Sequence, residues 1–401
     1  MTARAARFAP ALVILAGISA ALHVAKLPPA IPALQQALGI SLVQAGFLLS
    51  TVQFAGMALG ILFGLVADGV GLRRSLLCGL VLLTLASAAG ALATSASALL
   101  ALRVAEGCGF MLASLPGPSL LRRLVAPSRL PAMLGFWGTY MPFATALALL
   151  VGPWWMEAVG WRAWWLLLAA GTALMALWVW RAVPADVLAV PVARSPVFRR
   201  LVASWPQWSG RLRRTLGAAG PWRVALGFAS YSGPWLAVVG FLPALYAQAG
   251  VRPLAAGGLS ALVAAVNMIG NIAAGQWLQR GVAPRRLLWA GYAAMAVGAF
   301  LFFVPATEGL PALRYAAVLA FSLCGGMVPG TLFSQAVRVA PGEDTVATTV
   351  GWMQQCSAFG QFALPPLVAW VASMAGGWQW TWVVTGICAV VGAMLAARPR
   401  R

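Results

Sequence analysis

Apolar residues recur along the chain in runs of about 20, and polar residues are concentrated in the segments between these runs. An α-helix of about 20 residues is long enough to cross a hydrocarbon core of about 30 Å. The runs lack the alternation of polar and apolar positions that is typical of membrane barrels. The pattern therefore predicts an all-α membrane protein with twelve transmembrane helices. Their predicted ranges are 8–33, 42–67, 75–95, 97–121, 131–153, 161–182, 222–246, 254–279, 286–306, 310–337, 346–372 and 378–397.

The composition supports a membrane protein and argues against a nucleic-acid-binding one. Of the 401 residues, 62% are hydrophobic and 8% are charged, and the formal net charge is +20. A soluble chain of this length would need about three times as much charge on its surface. Nucleic-acid-binding proteins cluster their basic residues on one soluble face, whereas most arginines here lie in short segments between apolar runs.

The distribution of arginines predicts the orientation in the membrane. If the N-terminus is cytoplasmic, only Arg162 and Arg252 among the loop arginines lie on the opposite side. Basic residues are retained on the cytoplasmic side, so both termini are predicted to be cytoplasmic. The longest polar segment, about 183–221, is rich in arginine and predicts a cytoplasmic linker. It divides the chain into two six-helix bundles, 1–182 and 222–401.

The two halves also match each other in sequence when the first is shifted by 211 residues. Prolines, glycines and arginines all keep this one offset, which favours a duplication over chance matching of apolar helices. Two pseudo-symmetric six-helix repeats are a known transporter plan, with the substrate site between them near the membrane midplane. Matched pairs include Pro32 with Pro243, Gly64 with Gly275, Arg74 with Arg285, Arg103 with Arg314, and Pro118 with Pro329.

A motif after the second span resembles the signature of the major facilitator superfamily between helices 2 and 3. Residues Gly64 to Arg74 read Gly-Leu-Val-Ala-Asp-Gly-Val-Gly-Leu-Arg-Arg. Gly69 and Leu72 stand where the family usually has basic residues. The fourth span carries Leu102 to Gly107, similar to the family pattern Arg-x-x-Gln-Gly with Glu in place of Gln. The resemblance covers essentially the whole chain and implies transport by alternating access.

Within that superfamily, the first span and its following loop look most like the cyanate-permease-like branch. The residues concerned are His23-x-x-Lys26-Leu27-Pro28-Pro29, followed by Leu38-Gly39-Ile40-Ser41.

By resemblance, the motif after the second span forms a charge latch that closes the inner gate in one state and opens it in the other. Asp68 ends its helix at the cytoplasmic rim, where a carboxylate can meet a helix N-terminus or an arginine. The alternative is a solvated turn whose arginines only set the topology. The predicted gating residues are Gly64, Asp68, Gly71, Arg73, Arg74 and Arg122.

Four ionisable residues lie inside spans of the first half. Inserting such a residue into the membrane costs about 2.5–3.5 kcal/mol on insertion scales, so each one indicates a functional or structural role. His23 and Lys26 in the first span and Arg103 and Glu106 in the fourth are each spaced i,i+3, which places both members of a pair on one helix face. Their predicted depths match, and the resemblance implies that spans 1, 4, 7 and 10 line a central cavity, so we expect Glu106 to pair with Lys26 or Arg103.

Arg314 occupies the position in the second half that corresponds to Arg103. We expect Lys26, Arg103 and Arg314 to line a water-filled cationic cavity that attracts anions, because guanidinium groups match carboxylate-like groups. The alternative is that these arginines extend to the lipid headgroups. Tyr140 and Tyr231 are further candidates for contact with the substrate.

Glu106 is the leading candidate for carrying a proton during transport, and His23 is the second. A carboxyl group whose pairing changes between two states couples proton binding to that change. The alternatives are a static ion pair that fixes two helices and a histidine that only hydrogen-bonds at a helix interface.

Other features add little chemistry. Most tryptophans, among them Trp154, Trp164 and Trp165, are interpreted as an interfacial belt. The five cysteines have no CxxC spacing and no nearby histidine, so neither a metal site nor a disulfide is predicted. No nucleotide-binding loop, catalytic triad or cofactor motif is present in the sequence, so no cofactor and no enzymatic activity are predicted.

The sequence thus predicts a secondary active transporter of the bacterial inner membrane. It would be monomeric and would move a small, anionic solute with proton coupling. The alternative is proton-driven efflux of drugs or of a secreted metabolite such as a siderophore. A membrane enzyme or a sensor would require converging catalytic groups, which the sequence does not suggest.

Overall fold

The computed structural model describes residues 3–60, 71–126, 129, 133, 136–185 and 209–397. Within these residues all regular secondary structure is helical. Ten helices or helix pairs are long and apolar enough to cross a membrane, and a bent pair at residues 42–60 adds another. One of the ten, Tyr140–Ala182, is interrupted at Gly160 and contains two spans. The twelve predicted spans are confirmed.

The first six spans are numbered α1 to α6. They are α1 (Ala3–Ala25, a 3-10 turn, then Ile31–Leu38), α2 (Leu42–Thr51 and Phe54–Gly60), α3 (Leu72–Ala91), α4 (Ala96–Ser114 and Gly117–Leu124), and α5 and α6 (Tyr140–Ala182, divided at Gly160).

The other six spans follow a short helix at 209–217. They are α7 (Ala219–Gln248), α8 (Pro253–Gln279), α9 (Pro284–Phe303), α10 (Pro311–Gly325 and Met327–Val339), α11 (Val346–Met374) and α12 (Thr381–Ala397).

Local chemistry explains where the helices begin and break. The side chain of Ser41 accepts a hydrogen bond from the backbone of Gln44, and Gln44 returns one, so a capping box starts α2. Pro28 and Pro29 have no backbone N–H, and α1 changes to a 3-10 turn there. Gly160 has φ +83°, a conformation that favours glycine, and separates α5 from α6.

The two halves pack together on the predicted outer side, which carries the α1–α2 and α7–α8 loops. A Cβ atom added at Gly240 of α7 would lie 2.3 Å from a methyl carbon of Leu49 in α2. A Cβ added at Gly257 of α8 would lie 2.6 Å from the carbonyl oxygen of Leu149 in α5. Glycines thus let the helices approach closely, as is common between membrane helices, and the outer ends of the halves are in contact.

Candidate functional site

The four ionisable residues of the first half form one buried cluster between α1 and α4. The ammonium of Lys26 forms an ion pair with Oε1 of Glu106. Arg103 donates from Nη1 to Oε2 of Glu106 over 2.6 Å, and Nδ1 of His23 lies 3.9 Å from Oε1. The sequence placed these side chains on facing helix surfaces, and the structure brings all four together.

Arg103 also fixes the cluster to the backbone of two neighbouring helices. Its Nη1 donates to the carbonyl of His23 over 2.6 Å, and its Nε donates to the carbonyl of Leu48 in α2 over 3.1 Å. Arg103 therefore links α1, α2 and α4, which a point charge such as lysine would do less well.

Helices α3 and α6 hold the ammonium group of Lys26. Lys26 donates to Oγ of Ser87 in α3 over 2.8 Å, and its Nζ lies 4.7 Å from the ring centroid of Trp165 in α6. Ser87 in turn donates to the carbonyl of Trp165 over 3.0 Å. A cation over an indole face is stabilised most where water is excluded, and this ammonium is fully buried.

The cluster carries a surplus of positive charge. His23 and Lys26 are 0% exposed, and Arg103 and Glu106 are 1% exposed. With His23 neutral, two cations face one carboxylate. In addition, Nη2 of Arg103 and Nδ1 of His23 are buried without a hydrogen-bond partner. Buried cations are costly, and so is a buried donor without an acceptor such as Nη2 of Arg103, so this arrangement favours the approach of an anion.

A narrow cavity lies between the two halves, directly beside the cluster. It leaves room for about one water molecule. Val24, Ala25 and Pro28 of α1 line it, while Lys26 points into the first half. The first span thus presents an apolar face to the cavity and its charged face to α4. The other lining residues are Met141, Thr145, Trp235, Leu236, Val239, Gly240 and Gln361.

Neutral polar side chains cross from one half to the other at this cavity. Gln53 of α2 donates from Nε2 to Oε1 of Gln361 in α11 over 3.1 Å. Gln361 donates to Oγ of Ser357, and Ser357 donates to Oγ of Ser232 in α7. The row joins α2, α11 and α7. It shows that the halves are also held together by directional bonds at the depth of the cavity.

The second half contributes an uncharged network behind the cavity. The hydroxyl of Tyr231 lies 3.0 and 3.1 Å from the two amide atoms of Asn267. Trp235 donates from Nε1 to Oγ of Ser322 over 3.0 Å, and Asn267 donates to the carbonyl of the same serine. Tyr231 is 6% exposed and bonded within its own half, and it is not among the residues that line the cavity.

The side chain of Arg314 does not make the contacts that we predicted from the internal repeat. We expected it to face Arg103 across a cavity, but its Nε donates to Oγ1 of Thr307 and its Nη2 to the carbonyl of Val304. Its side chain is 25% exposed, with Glu308 3.9 Å away. Arg314 therefore braces the α9–α10 loop. The expected meeting of Lys26, Arg103 and Arg314 in a water-filled cavity does not occur, because the first two are buried within the first half.

Tyr140 packs against its own half. Its ring stacks on Trp137 with centroids 4.9 Å apart. The indole of Trp137 fills the space beside Gly17 in α1 and Gly117 in α4. This aromatic pair lies on the predicted inner side of Met141, which lines the cavity. Tyr140 itself is not among the cavity-lining residues.

The predicted latch lies only partly in the described region. Gly64 and Asp68 fall outside the described residues. Gly71 has φ +109° immediately before α3, a conformation that favours glycine. Arg73 donates to the carbonyl of Trp180 at the end of α6. Arg74 and Arg122 are exposed at the ends of α3 and α4.

Part of the tryptophan interpretation was wrong. Trp154 is 58% exposed, as expected for an interfacial residue, but Trp164 and Trp165 are 2% and 1% exposed. Trp164 donates to the carbonyl of Lys26 over 3.2 Å.

Ser87 was not singled out from the sequence, because single serines are common in membrane helices and carry no spacing signal.

Among the described residues, no group of three or more His, Cys, Asp or Glu side chains could hold a metal ion.

Comparison with known proteins gives one family. A sequence model of the Major Facilitator Superfamily matches residues 13–365. The chain is 25% identical to the cyanate transport protein CynX of Escherichia coli (strain K12), in an alignment that covers 96% of this chain and 94% of that protein.

Two solved structures show the likeness of fold. A bacterial homologue of the human lysosomal transporter Spinster, inward-facing and occupied, superposes with a TM-score of 0.79 at 15% identity, covering 97% of this chain and 96% of that one. A D-xylose-proton symporter superposes with a TM-score of 0.76 at 17% identity, with the same coverage.

Proposed function

Because the chain belongs to the Major Facilitator Superfamily, we propose that this transporter carries a small monovalent anion across the bacterial inner membrane, coupled to protons. The two six-helix bundles, 1–182 and 222–401, would rock around the central cavity, with the segment 183–221 as a linker. Both termini would be cytoplasmic, and one copy of the chain would suffice.

The surplus positive charge of the buried cluster is the observation that carries this proposal. Lys26 and Arg103 share the single carboxylate of Glu106 at 0–1% exposure. A charge in a low-dielectric site acts over longer distances than in water. An anion in the cavity beside Ala25 and Pro28 would be attracted by this charge.

The size of the cavity favours a small substrate. In this structure the space between Ala25, Thr145 and Gln361 has room for about one water molecule, so a modest separation of the halves would admit an ion of a few atoms. The relative CynX is named as a cyanate transport protein. Cyanate, a linear monovalent anion, fits both the charge and the size.

Glu106 supplies a way to couple this anion to a proton. When Glu106 is ionised, it holds Lys26 and Arg103 within hydrogen-bond distance. When it is protonated, the cluster loses its only carboxylate, and the two cations need another anion. The substrate anion supplies the negative charge that the protonated carboxyl group no longer carries. Proton binding and anion binding therefore favour each other.

Charge conservation sets the expected stoichiometry. With Glu106 ionised and no substrate, the cluster has one net positive charge. Adding one proton and one monovalent anion leaves that charge unchanged. Because changing the net charge of a buried site is costly, we expect one proton to travel with each anion and the cycle to be electroneutral.

Transport of radiolabelled cyanate into proteoliposomes tests the function. An acidic exterior should drive uptake, a protonophore should abolish it, and the variant Glu106→Gln should lose it. Excess unlabelled thiocyanate or formate should compete, whereas a lipophilic cation should not. Protein-free liposomes provide the background from passive leak.

Binding of cations or neutral drugs instead of anions would favour a different transport function for this protein. Stabilisation of the purified protein by organic cations or neutral drugs alone, with no effect of any anion on Tm, would contradict the anion proposal and point to efflux. Proton coupling would be contradicted if the rate of anion uptake were the same with and without a pH gradient and the same in Glu106→Gln as in the unchanged protein.

A further inference from the structure

Two hydroxyl groups beside the charged cluster bond to each other between helices, whereas several other hydroxyl groups in the membrane spans bond only to their own helix. Thr84, Thr145 and Ser114 each donate to a carbonyl one turn earlier on their own helix, the usual arrangement in a membrane helix. Ser19 of α1 and Thr172 of α6 instead bond to each other across two helices, with their oxygens 2.9 Å apart.

The same two hydroxyls continue into the cluster through His23. Oγ1 of Thr172 lies 2.8 Å from Nε2 of His23. On the other side of the ring, Nδ1 lies 3.9 Å from Oε1 of Glu106 and has no hydrogen-bond partner. Ser19, Thr172, His23 and Glu106 therefore form a single row in which only the last link is open.

The row runs from a partly exposed residue to a buried one. Ser19 is partly exposed, Thr172 is 2% exposed, and His23 and Glu106 are 0% and 1% exposed. Ser19 lies one helical turn before His23 on α1, which is toward the N-terminus and so toward the predicted cytoplasmic side. Each hydroxyl can accept and donate a proton at once, and an imidazole can do so through its two nitrogens.

We propose that Ser19, Thr172 and His23 form the path along which Glu106 exchanges its proton with the cytoplasmic side. This inference rests on the proposed proton coupling at Glu106. For release, the carboxyl proton of Glu106 moves to Nδ1 of His23, and the proton on Nε2 moves to the oxygen of Thr172. Thr172 passes its own hydroxyl proton to Ser19, and Ser19 passes its own to water. Ser19, Thr172 and His23 each gain one proton and lose one, so their charges do not change, and the proton of His23 ends on Nδ1 instead of Nε2. Glu106 loses one proton and becomes ionised, and water gains one.

The open link explains how the path would be switched. Lys26 and Arg103 each hold one oxygen of the ionised carboxylate, and this keeps Oε1 beyond hydrogen-bond distance of Nδ1. A protonated Glu106 is no longer held by these charges and can turn toward His23. The path then conducts only when Glu106 has a proton to release.

The experiment removes one hydroxyl in the row and compares two transport modes in proteoliposomes. Counterflow of radiolabelled cyanate at equal pH exchanges substrate without net proton movement. Uptake driven by a pH gradient requires net proton movement, which a trapped pH dye records in parallel. Thr172→Val removes the link, Thr172→Ser keeps the hydroxyl, and Thr84→Val removes a hydroxyl that is bonded only to its own helix.

We expect Thr172→Val to retain counterflow and to slow gradient-driven uptake and proton flux by at least about tenfold. Thr172→Ser and Thr84→Val should retain both modes. Ser19→Ala, at the other end of the row, should give the pattern of Thr172→Val. This second variant separates loss of the path from a local packing defect at Thr172.

Two outcomes would overturn the path. In the first, Thr172→Val and Ser19→Ala match Thr84→Val in both modes. In the second, both variants lose counterflow and gradient-driven uptake equally, which indicates a structural role. If Glu106→Gln itself leaves gradient-driven uptake intact, the proposed coupling at Glu106 fails. That result is distinct from intact coupling at Glu106 with no effect at Thr172.

Discussion

Lys26 of α1 and Glu106 of α4 form an ion pair in which neither side chain is more than 1% exposed. A buried pair of this kind contributes little net stability, because both charges have left water, but removing one partner is strongly destabilising. The pair is also unequal, since Arg103 shares the same carboxylate. The carboxylate is therefore the member on which the rest of the cluster depends.

Glu106→Gln should destabilise the protein more than Lys26→Met. The first change leaves two buried cations without a carboxylate, at a cost of about 3–5 kcal/mol. The second leaves Arg103 paired with Glu106 and should cost less. The double variant should recover part of the stability that Glu106→Gln loses, because only Arg103 is then left without a carboxylate. Thermal unfolding in detergent measures each Tm, and Glu308→Gln, whose side chain is 73% exposed, is the matched control. Equal and additive losses would contradict the charge argument.

Anions should stabilise Glu106→Gln more than they stabilise the unchanged protein. The variant lacks the carboxylate that Lys26 and Arg103 require, so a bound thiocyanate or cyanate replaces its charge. A ligand present at 100 times its Kd stabilises by about 2.7 kcal/mol, which a Tm measurement detects. The measurement is a titration of Tm with sodium thiocyanate, with sodium sulfate as the control for general salt effects. An equal response in both proteins would contradict an anion site beside the cluster.

Transport should respond to a pH gradient and not to membrane potential. One proton and one monovalent anion carry no net charge together. If the cycle moved one uncompensated charge, 100 mV would contribute about 2.3 kcal/mol, a change in accumulation ratio of about fifty-fold. Cyanate accumulation in proteoliposomes, with the potential set by potassium and valinomycin at constant pH gradient, makes the measurement. A fifty-fold dependence on the potential would contradict electroneutral coupling.

The sequence was informative about the fold because the membrane imposes simple rules. Apolar runs of about 20 residues and glycine or proline at helix breaks predict spans directly. The four ionisable residues could be paired because i,i+3 spacing puts each pair on one helix face, their depths match, and the family resemblance implies that the first and fourth spans line the same cavity. Spans α1 and α4 meet as those rules require.

The arrangement around the cluster could not be predicted in the same way. Ser87, Thr172 and Trp165 lie on helices whose rotation relative to α1 is set by packing, and no spacing pattern records that rotation. For Arg314 the sequence did give a signal, the internal repeat, but the contacts predicted from it were wrong. The internal repeat predicts that Arg314 corresponds to Arg103, but a long side chain near a helix end can bond to the adjacent loop instead of the cavity.

Arg314→Gln and Arg103→Gln should therefore differ, although the two residues occupy matching positions in the repeat. Arg314 bonds to Thr307 and Val304 at a partly exposed loop, so its loss should cost about 1–2 kcal/mol and leave cyanate transport within about twofold. Loss of Arg103 removes bonds to α1, α2 and Glu106 and should abolish transport. Counterflow and Tm are measured for both. Equal loss of transport would restore the expectation that both arginines bind substrate.

Asp68→Asn should reduce transport while leaving the protein folded. Asp68 belongs to the motif whose Arg73 ties the start of α3 to the end of α6, and by resemblance its carboxylate holds the inner gate in one state. The amide of asparagine has the same shape as the carboxylate but no charge. The free energy of unfolding should therefore change by no more than about 0.5 kcal/mol, with Tm nearly unchanged, while cyanate counterflow falls. Glu343→Gln, an exposed carboxylate on the same predicted side, is the control and should leave both unchanged. Unaltered counterflow in Asp68→Asn would show that the segment is a solvated turn and not a latch.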